Sequence, residues 1–144
     1  MQTISKLLVG NRGEIALRIF RAATELKIRT VAIYTFEDRY SLHRHKADEA
    51  YQIGKDSDPL KPYLDIDEII KVAKREGVDA IHAGYGFLSE NVEFASKCIE
   101  NKMLWIGQDP KVMTQLGEKV TAKKIATKVK VPMIADSKVN QTYF

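Results

Sequence analysis

Disulfides are excluded at the outset, because the chain holds a single cysteine, Cys98. Its neighbours Phe94, Ala95 and Ile99 make it a small apolar filler on a helix, which suits a reducing compartment. Long apolar runs are missing too. Near the N-terminus the longest is Leu7, Leu8 and Val9, too short for a signal peptide core, and no stretch elsewhere is long enough to span a bilayer. The expectation is therefore a cytoplasmic protein with no leader and no membrane partner.

Strong charge of one sign is also absent from most of the chain. The formal net charge of +4 is concentrated at one end: seven lysines against two acids give +5 from Lys111 onward, and residues 1–110 carry −1. Lysines without interleaved arginines or aromatics read first as a solvated helix face and second as a phosphate contact, so nucleic acid is not expected. What remains is ordinary for one globular domain, with 44% hydrophobic and 29% charged residues in 144.

The apolar pattern alternates between strands and helices. Lys6 to Val9 reads as a strand ending at Gly10, and Glu14 to Leu26 as a helix with Ile15, Ile19, Ala22, Ala23 and Leu26 on its apolar face. Thr30 to Tyr34 is a β-branched strand, followed by a polar, irregular stretch to Lys46 and a short strand at Ala50 to Ile53. After a loop from Lys55 to Pro62 comes a helix from Ile66 to Lys74, stopped by Gly77. Strands at Val78 to Ile81 and Met103 to Ile106 flank a helix from Asn91 to Glu100. Asp109 and Pro110 start a short helix to Leu116, and a last helix covers Glu118 to Val129. Parallel strands need crossover helices, so this order predicts an α/β fold: a Rossmann-like, mostly parallel sheet with helices on both faces.

In such sheets ligands bind at the loops beyond the carboxyl ends of the strands. The first is Gly10-Asn11-Arg12-Gly13-Glu14. Its glycines suit either a tight packing turn or an anion at a helix N-terminus, but the third glycine of a dinucleotide fingerprint is missing and Glu14 would repel a phosphate. The second is His82-Ala83-Gly84-Tyr85-Gly86-Phe87-Leu88-Ser89-Glu90-Asn91. There Tyr85 either covers the sheet end or stacks on a flat ligand, and Ser89 and Asn91 can cap the next helix. His82 reads as a satisfied polar residue; His43 and His45 lack the companions of a zinc site. A third place is Lys119 after Gly117, a cation in a first helical turn whose charge is available to an anion. On the first helix Arg18, Arg21 and Glu25 form a polar stripe, either solvated or paired with a symmetry mate.

Four strings, taken together and in order, carry a resemblance. They are Gly10 to Arg18, Lys46-Ala47-Asp48-Glu49-Ala50, Gly84 to Asn91, and Gly117-Glu118-Lys119, and they resemble the signatures of biotin carboxylase N-terminal (pre-ATP-grasp) domains. The segment Glu37 to Arg44 resembles the version in pyruvate carboxylases rather than that of acetyl-CoA or propionyl-CoA carboxylases. The sequence departs from the family at Ala83, Gln108 and Glu118, where proline, proline and aspartate are common, and Val129-Lys130-Val131-Pro132 lacks the glycine common before that proline.

The resemblance implies residues 1–131 as that domain, with 132–144 starting a linker toward an ATP-grasp lid. It implies an ATP-dependent ligase that carboxylates biotin with bicarbonate, with biotin on a carrier domain and magnesium ligands outside this chain. Lys119 would reach the nucleotide phosphates, Gly84, Tyr85 and Gly86 would form the loop near biotin, and Arg18, Arg21 and Glu25 would lie in the biotin carboxylase dimer interface, with a homo-oligomer in the full enzyme. Partners would be the remaining biotin carboxylase domains and the carrier domain. No catalytic residue and no metal ligand is expected here, so the piece alone would be inactive. The competing expectations are a stand-alone Rossmann-type nucleotide-binding module, the biotin carboxylase domain of an acetyl-CoA or propionyl-CoA carboxylase, and a scaffold that only packs and dimerises.

Overall fold

The computed structural model describes residues 3–55, 58–117 and 119–130, with 119–122 described by backbone alone. The expected strand–helix alternation is present: β1 (Lys6–Val9), α1 (Gly13–Glu25), β2 (Arg29–Tyr34), α2 (Leu42–Lys46), β3 (Glu49–Gln52), α3 (Ile66–Arg75), β4 (Ala80–His82), α4 (Val92–Glu100), β5 (Leu104–Trp105), α5 (Pro110–Gly117) and α6 (Lys119–Lys128). Single 3-10 turns lie at Phe36–Asp38 and Lys61–Leu64. The chain divides into two compact units, Met1–Gly107 and Gln108–Phe144. In the second, α5 packs against α6. The linker expected at 132–144 lies outside the described residues, as does Glu118.

The first unit holds one five-stranded sheet in the order β3-β2-β1-β4-β5, and every pairing is parallel. Right-handed crossovers running outward from β1 in opposite directions place α1 and α2 on one face and α3 and α4 on the other. The packing agrees, since α1 lies against α2 and α3 against α4. Cross-strand register then sorts the side chains. Leu7, Val9, Ala32 and Ala80 point toward α1 and join Ala16, Phe20 and Ala23 in one cluster. Their neighbours Leu8, Val31, Ile33 and Ile81 are fully buried on the opposite face.

The apolar face of α1 is a correction. Helical spacing predicts Ile15, Ile19, Ala22, Ala23 and Leu26 facing inward; Ala23 is buried and Ile19 packs against the core, yet Ala22 and Leu26 are exposed and Ala16, Leu17 and Phe20 are buried. The helix carries two apolar stripes, and the sheet takes the one on which Phe20 and small alanines allow close approach. A second correction concerns 36–46, expected to be irregular: it folds into a 3-10 turn and α2. A five-residue helix has no stability from propensity, and its anchor is a buried side chain, His43. Cys98 is buried as expected, and burial pushes its thiol up to about 12.

Candidate functional site at the sheet switch point

Sheet order reverses between β1 and β4, and in open α/β sheets such a switch point is where ligands bind, beyond the carboxyl ends of the two strands. Two loops meet there, after β1 and after β4. The backbone N–H of Gly10 donates to the carbonyl of His82 at 2.9 Å, extending the parallel ladder by one rung into the loops. Beyond that rung the join is made by one side chain. Asn11 is 1% exposed, and its amide nitrogen donates to the carbonyls of Ala83 at 2.9 Å and Tyr85 at 2.7 Å. Its amide oxygen accepts the N–H of Arg12 at 2.8 Å, so the group is satisfied on both sides.

Glycine is required at one point of this contact. Gly84 has φ +70°, and a Cβ there would stand 2.7 Å from Ile15 Cγ2 and 2.9 Å from Asn11 Nδ2. Gly86 also has positive φ, +68°, but open space around it. Between these glycines Tyr85 projects outward and is 75% exposed. His82 just before them accepts the Gly84 N–H on Nδ1 at 3.0 Å, and burial lowers its imidazole pKa, so it is a neutral structural acceptor. Asn91 closes the loop by capping α4, its side-chain oxygen accepting the Phe94 N–H at 2.9 Å.

A second set of contacts supports the first loop from the β2 side. Arg12 donates through Nε and Nη2 to the two carboxylate oxygens of Asp38, each at 2.6 Å. Tyr63, fully buried, donates its hydroxyl to Asp38 at 2.7 Å and accepts the N–H of Thr35 at 3.3 Å. Its ring lies 5.3 Å from that of Phe87, in the loop after β4. Phe87 itself has φ +45°, a strained value for a bulky residue that the surrounding contacts hold in place. The Arg12 hydrogen bonds keep the Asp38 carboxyl below its ordinary range, while burial and the neighbouring carboxylate raise the Tyr63 phenol.

His43 ties α2 to the start of α1. Its Nε2 lies 3.1 Å from the Ile33 carbonyl oxygen, so Nε2 carries the proton and donates. Nδ1 then accepts from the Ser41 hydroxyl at 2.8 Å and the Gly13 N–H at 3.4 Å. Burial depresses this imidazole below its ordinary 6.5. The unfolded chain therefore takes up a proton near 6.5 while the native state resists it. Stability is full above that value and is lost as pH falls toward the lower native pKa. Asp38, depressed below 3.8, adds a separate loss at more acid pH. The urea midpoint is expected to fall between about pH 7 and about pH 5, and His43→Gln should flatten that slope to what His82 contributes. An unchanged slope in H43Q would contradict the assignment.

The residues singled out from the sequence fall in three places. Gly84, Tyr85 and Gly86 lie together at the switch point. Arg18, Arg21 and Glu25 are exposed along α1, where Arg21 lies 3.6 Å from Glu14. Lys119 opens α6 in the second unit, and its side chain lies outside the described residues. Glycine spacing points to neither Asn11 nor Arg12, and it misses Asp38, Tyr63 and His43 as supports. A polar residue directly after a buried strand is the one signal for Asn11. Asp38 and Tyr63, 25 residues apart, give none.

A parallel α/β sheet whose two central loops interlock at the switch point defines a domain of the open, doubly wound class. Within that class residues 3–113 match the family described as biotin carboxylase, N-terminal domain, and the chain belongs to that family. It is 55% identical over 136 residues to pyruvate carboxylase of Bacillus subtilis, covering 94% of this chain and 12% of that protein. It is 53% identical over 131 residues to the mitochondrial pyruvate carboxylase of Rattus norvegicus, covering 91% and 11%. The complete multifunctional pyruvate carboxylase from Rhizobium etli superposes with a TM-score of 0.90 at 50% identity, covering 95% of this chain and 13% of that one. The biotin carboxylase domain of a thermophilic 2-oxoglutarate carboxylase, bound to bicarbonate, gives 0.89 at 44%, covering 92% and 30%. The chain thus spans about an eighth of its full-length relatives.

Proposed function

We propose that this chain forms one wall of the biotin carboxylase site of a pyruvate carboxylase, in which ATP and bicarbonate supply the carboxyl group for biotin. The observation that carries the reading is the switch-point loop, where Asn11 holds an exposed Tyr85 between two left-handed glycines. A tyrosine ring presented on a fixed backbone fits a flat, partly apolar ring system such as that of biotin, and Gly84, Tyr85 and Gly86 are the residues that would border it. Biotin supplies a ureido nitrogen as the carboxyl acceptor. The pyruvate carboxylases named above support pyruvate as the final acceptor. Residues 1–131 are assigned to this domain and 132–144 to the start of a linker toward an ATP-grasp lid.

Lys119 is assigned to the nucleotide phosphates, as a point charge suited to an anion. The magnesium that accompanies ATP is assigned ligands outside this chain, in the remaining biotin carboxylase domains. Arg18, Arg21 and Glu25, exposed on one side of α1, are assigned to a contact between copies of the enzyme. The remaining biotin carboxylase domains and a biotin carrier domain are the other partners, in the cytoplasm; no described helix is long and apolar enough to cross a membrane.

In the complete carboxylase, Lys119→Ala is expected to weaken ATP binding by about 1.5–3 kcal/mol, the range for a hydrogen bond to a charged group. Calorimetric titration with a non-hydrolysable ATP analogue measures it. An affinity unchanged within about twofold, or tight NAD binding instead, would overturn this reading.

A further inference from the structure

We infer that Asn11 is a positioning residue for the biotin ring, acting through the backbone that carries Tyr85; this rests on the proposed placement of Tyr85 at biotin. The argument is one of geometry. Tyr85 is 75% exposed and no described aromatic ring packs against its own, so its position is set by its own backbone. That backbone sits between Gly84 and Gly86, both at positive φ, which leaves it unusually free to rotate. The restraint comes from the carbonyls on either side of Gly84. Both are held by the Asn11 amide nitrogen, at 2.9 and 2.7 Å, from a side chain that is 1% exposed.

Asparagine is suited to this task by its donor count. Its amide has two N–H groups, one for each carbonyl, and its oxygen is spent on the Arg12 N–H. Aspartate has the same shape and no donor. It would set a carboxylate oxygen against two carbonyl oxygens, repel them, and free the Gly84 peptide. Arg12, next in sequence, is anchored by the two 2.6 Å bonds to Asp38, so the clamp itself has a fixed base. The β1 loop therefore aims the Tyr85 ring without touching what the ring touches.

The test uses the complete carboxylase with free biotin as the probe. Asn11→Asp is expected to raise the KM for biotin by about 10-fold to about 100-fold, the scale of an ångström-level displacement, with the KM for ATP changed less than about twofold. Tyr85→Ala, run alongside, should raise the biotin KM as well. Thermal melting verifies that each variant is folded; if Asn11→Asp does not accumulate folded, Asn11→Ser, which retains a single donor, is held to the same outcomes. If Tyr85→Ala raises the biotin KM and the Asn11 variant leaves it unchanged, the positioning role is wrong while the site stands. If the Asn11 variant raises both KM values alike, its role is general stability and the inference fails. If Tyr85→Ala leaves the biotin KM unchanged, the site assignment falls and the inference with it.

Discussion

Asp38→Ala is expected to cost the fold about 3 kcal/mol, measured by urea unfolding. The carboxylate accepts three hydrogen bonds, two from Arg12 and one from Tyr63, and is only 7% exposed. Its removal strands two donors of different kinds. The Tyr63 hydroxyl, on a fully buried side chain, loses the acceptor for its proton, at about 1–3 kcal/mol for an unsatisfied buried group. The Arg12 side chain is 42% exposed, so water replaces most of what it loses, and its share is about 1 kcal/mol, well below that of a fully buried ion pair. Asp38→Asn, which keeps one acceptor oxygen, should lose less than the alanine variant. A change below about 1 kcal/mol for Asp38→Ala would mean that the Arg12, Asp38 and Tyr63 contacts do not support the loop.

Gly84→Ala is expected to cost about 3 kcal/mol as well, for a different reason. An L side chain at φ +70° is strained by about 1–2 kcal/mol. Its Cβ also meets Ile15 and Asn11 at 2.7 and 2.9 Å, and overpacking of that kind typically adds about 1–3 kcal/mol. Gly86→Ala separates the two contributions. That residue has nearly the same backbone, φ +68°, with nothing within 4 Å of an added Cβ, so only the backbone strain should appear. Equal losses at the two glycines, read from urea midpoints, would show that Asn11 and Ile15 yield freely and that the loop is not held tightly.

Local pattern carries most of the architecture. β1 and the helices α3 and α4 lie within a residue or so of where their apolar spacing puts them, because periodicity is a property of neighbouring residues. Both loops at the switch point are also legible, since glycines and strand ends mark them. What binds those loops is not. Asn11 reaches carbonyls 72 and 74 residues away, and Asp38 meets Arg12 and Tyr63 from 26 and 25 residues away. Backbone carbonyls have no side-chain identity, so no residue type announces such a contact. The stretch 36–46 misleads for a related reason: its polar composition reads as loop, and the burial of Asp38 and His43 reveals that it is packed. The resemblance to biotin carboxylases points to Tyr85 and leaves the means of holding it to the coordinates.

The order of the strands has a consequence for how the protein is made. β1 finds β2 within some twenty residues, at Lys6 and Arg29, but its other neighbour begins at Ala80. A chain emerging from the ribosome therefore exposes one bare edge of its central strand until the fourth arrives, and Asn11 has no carbonyl to grasp before Ala83 and Tyr85 have been synthesised. Nascent chains of which nothing beyond Asp79 has emerged should hold the first pair of parallel strands yet be cut readily by protease after Gly10. Lengthening them past Asn91 should bring protection in a single step.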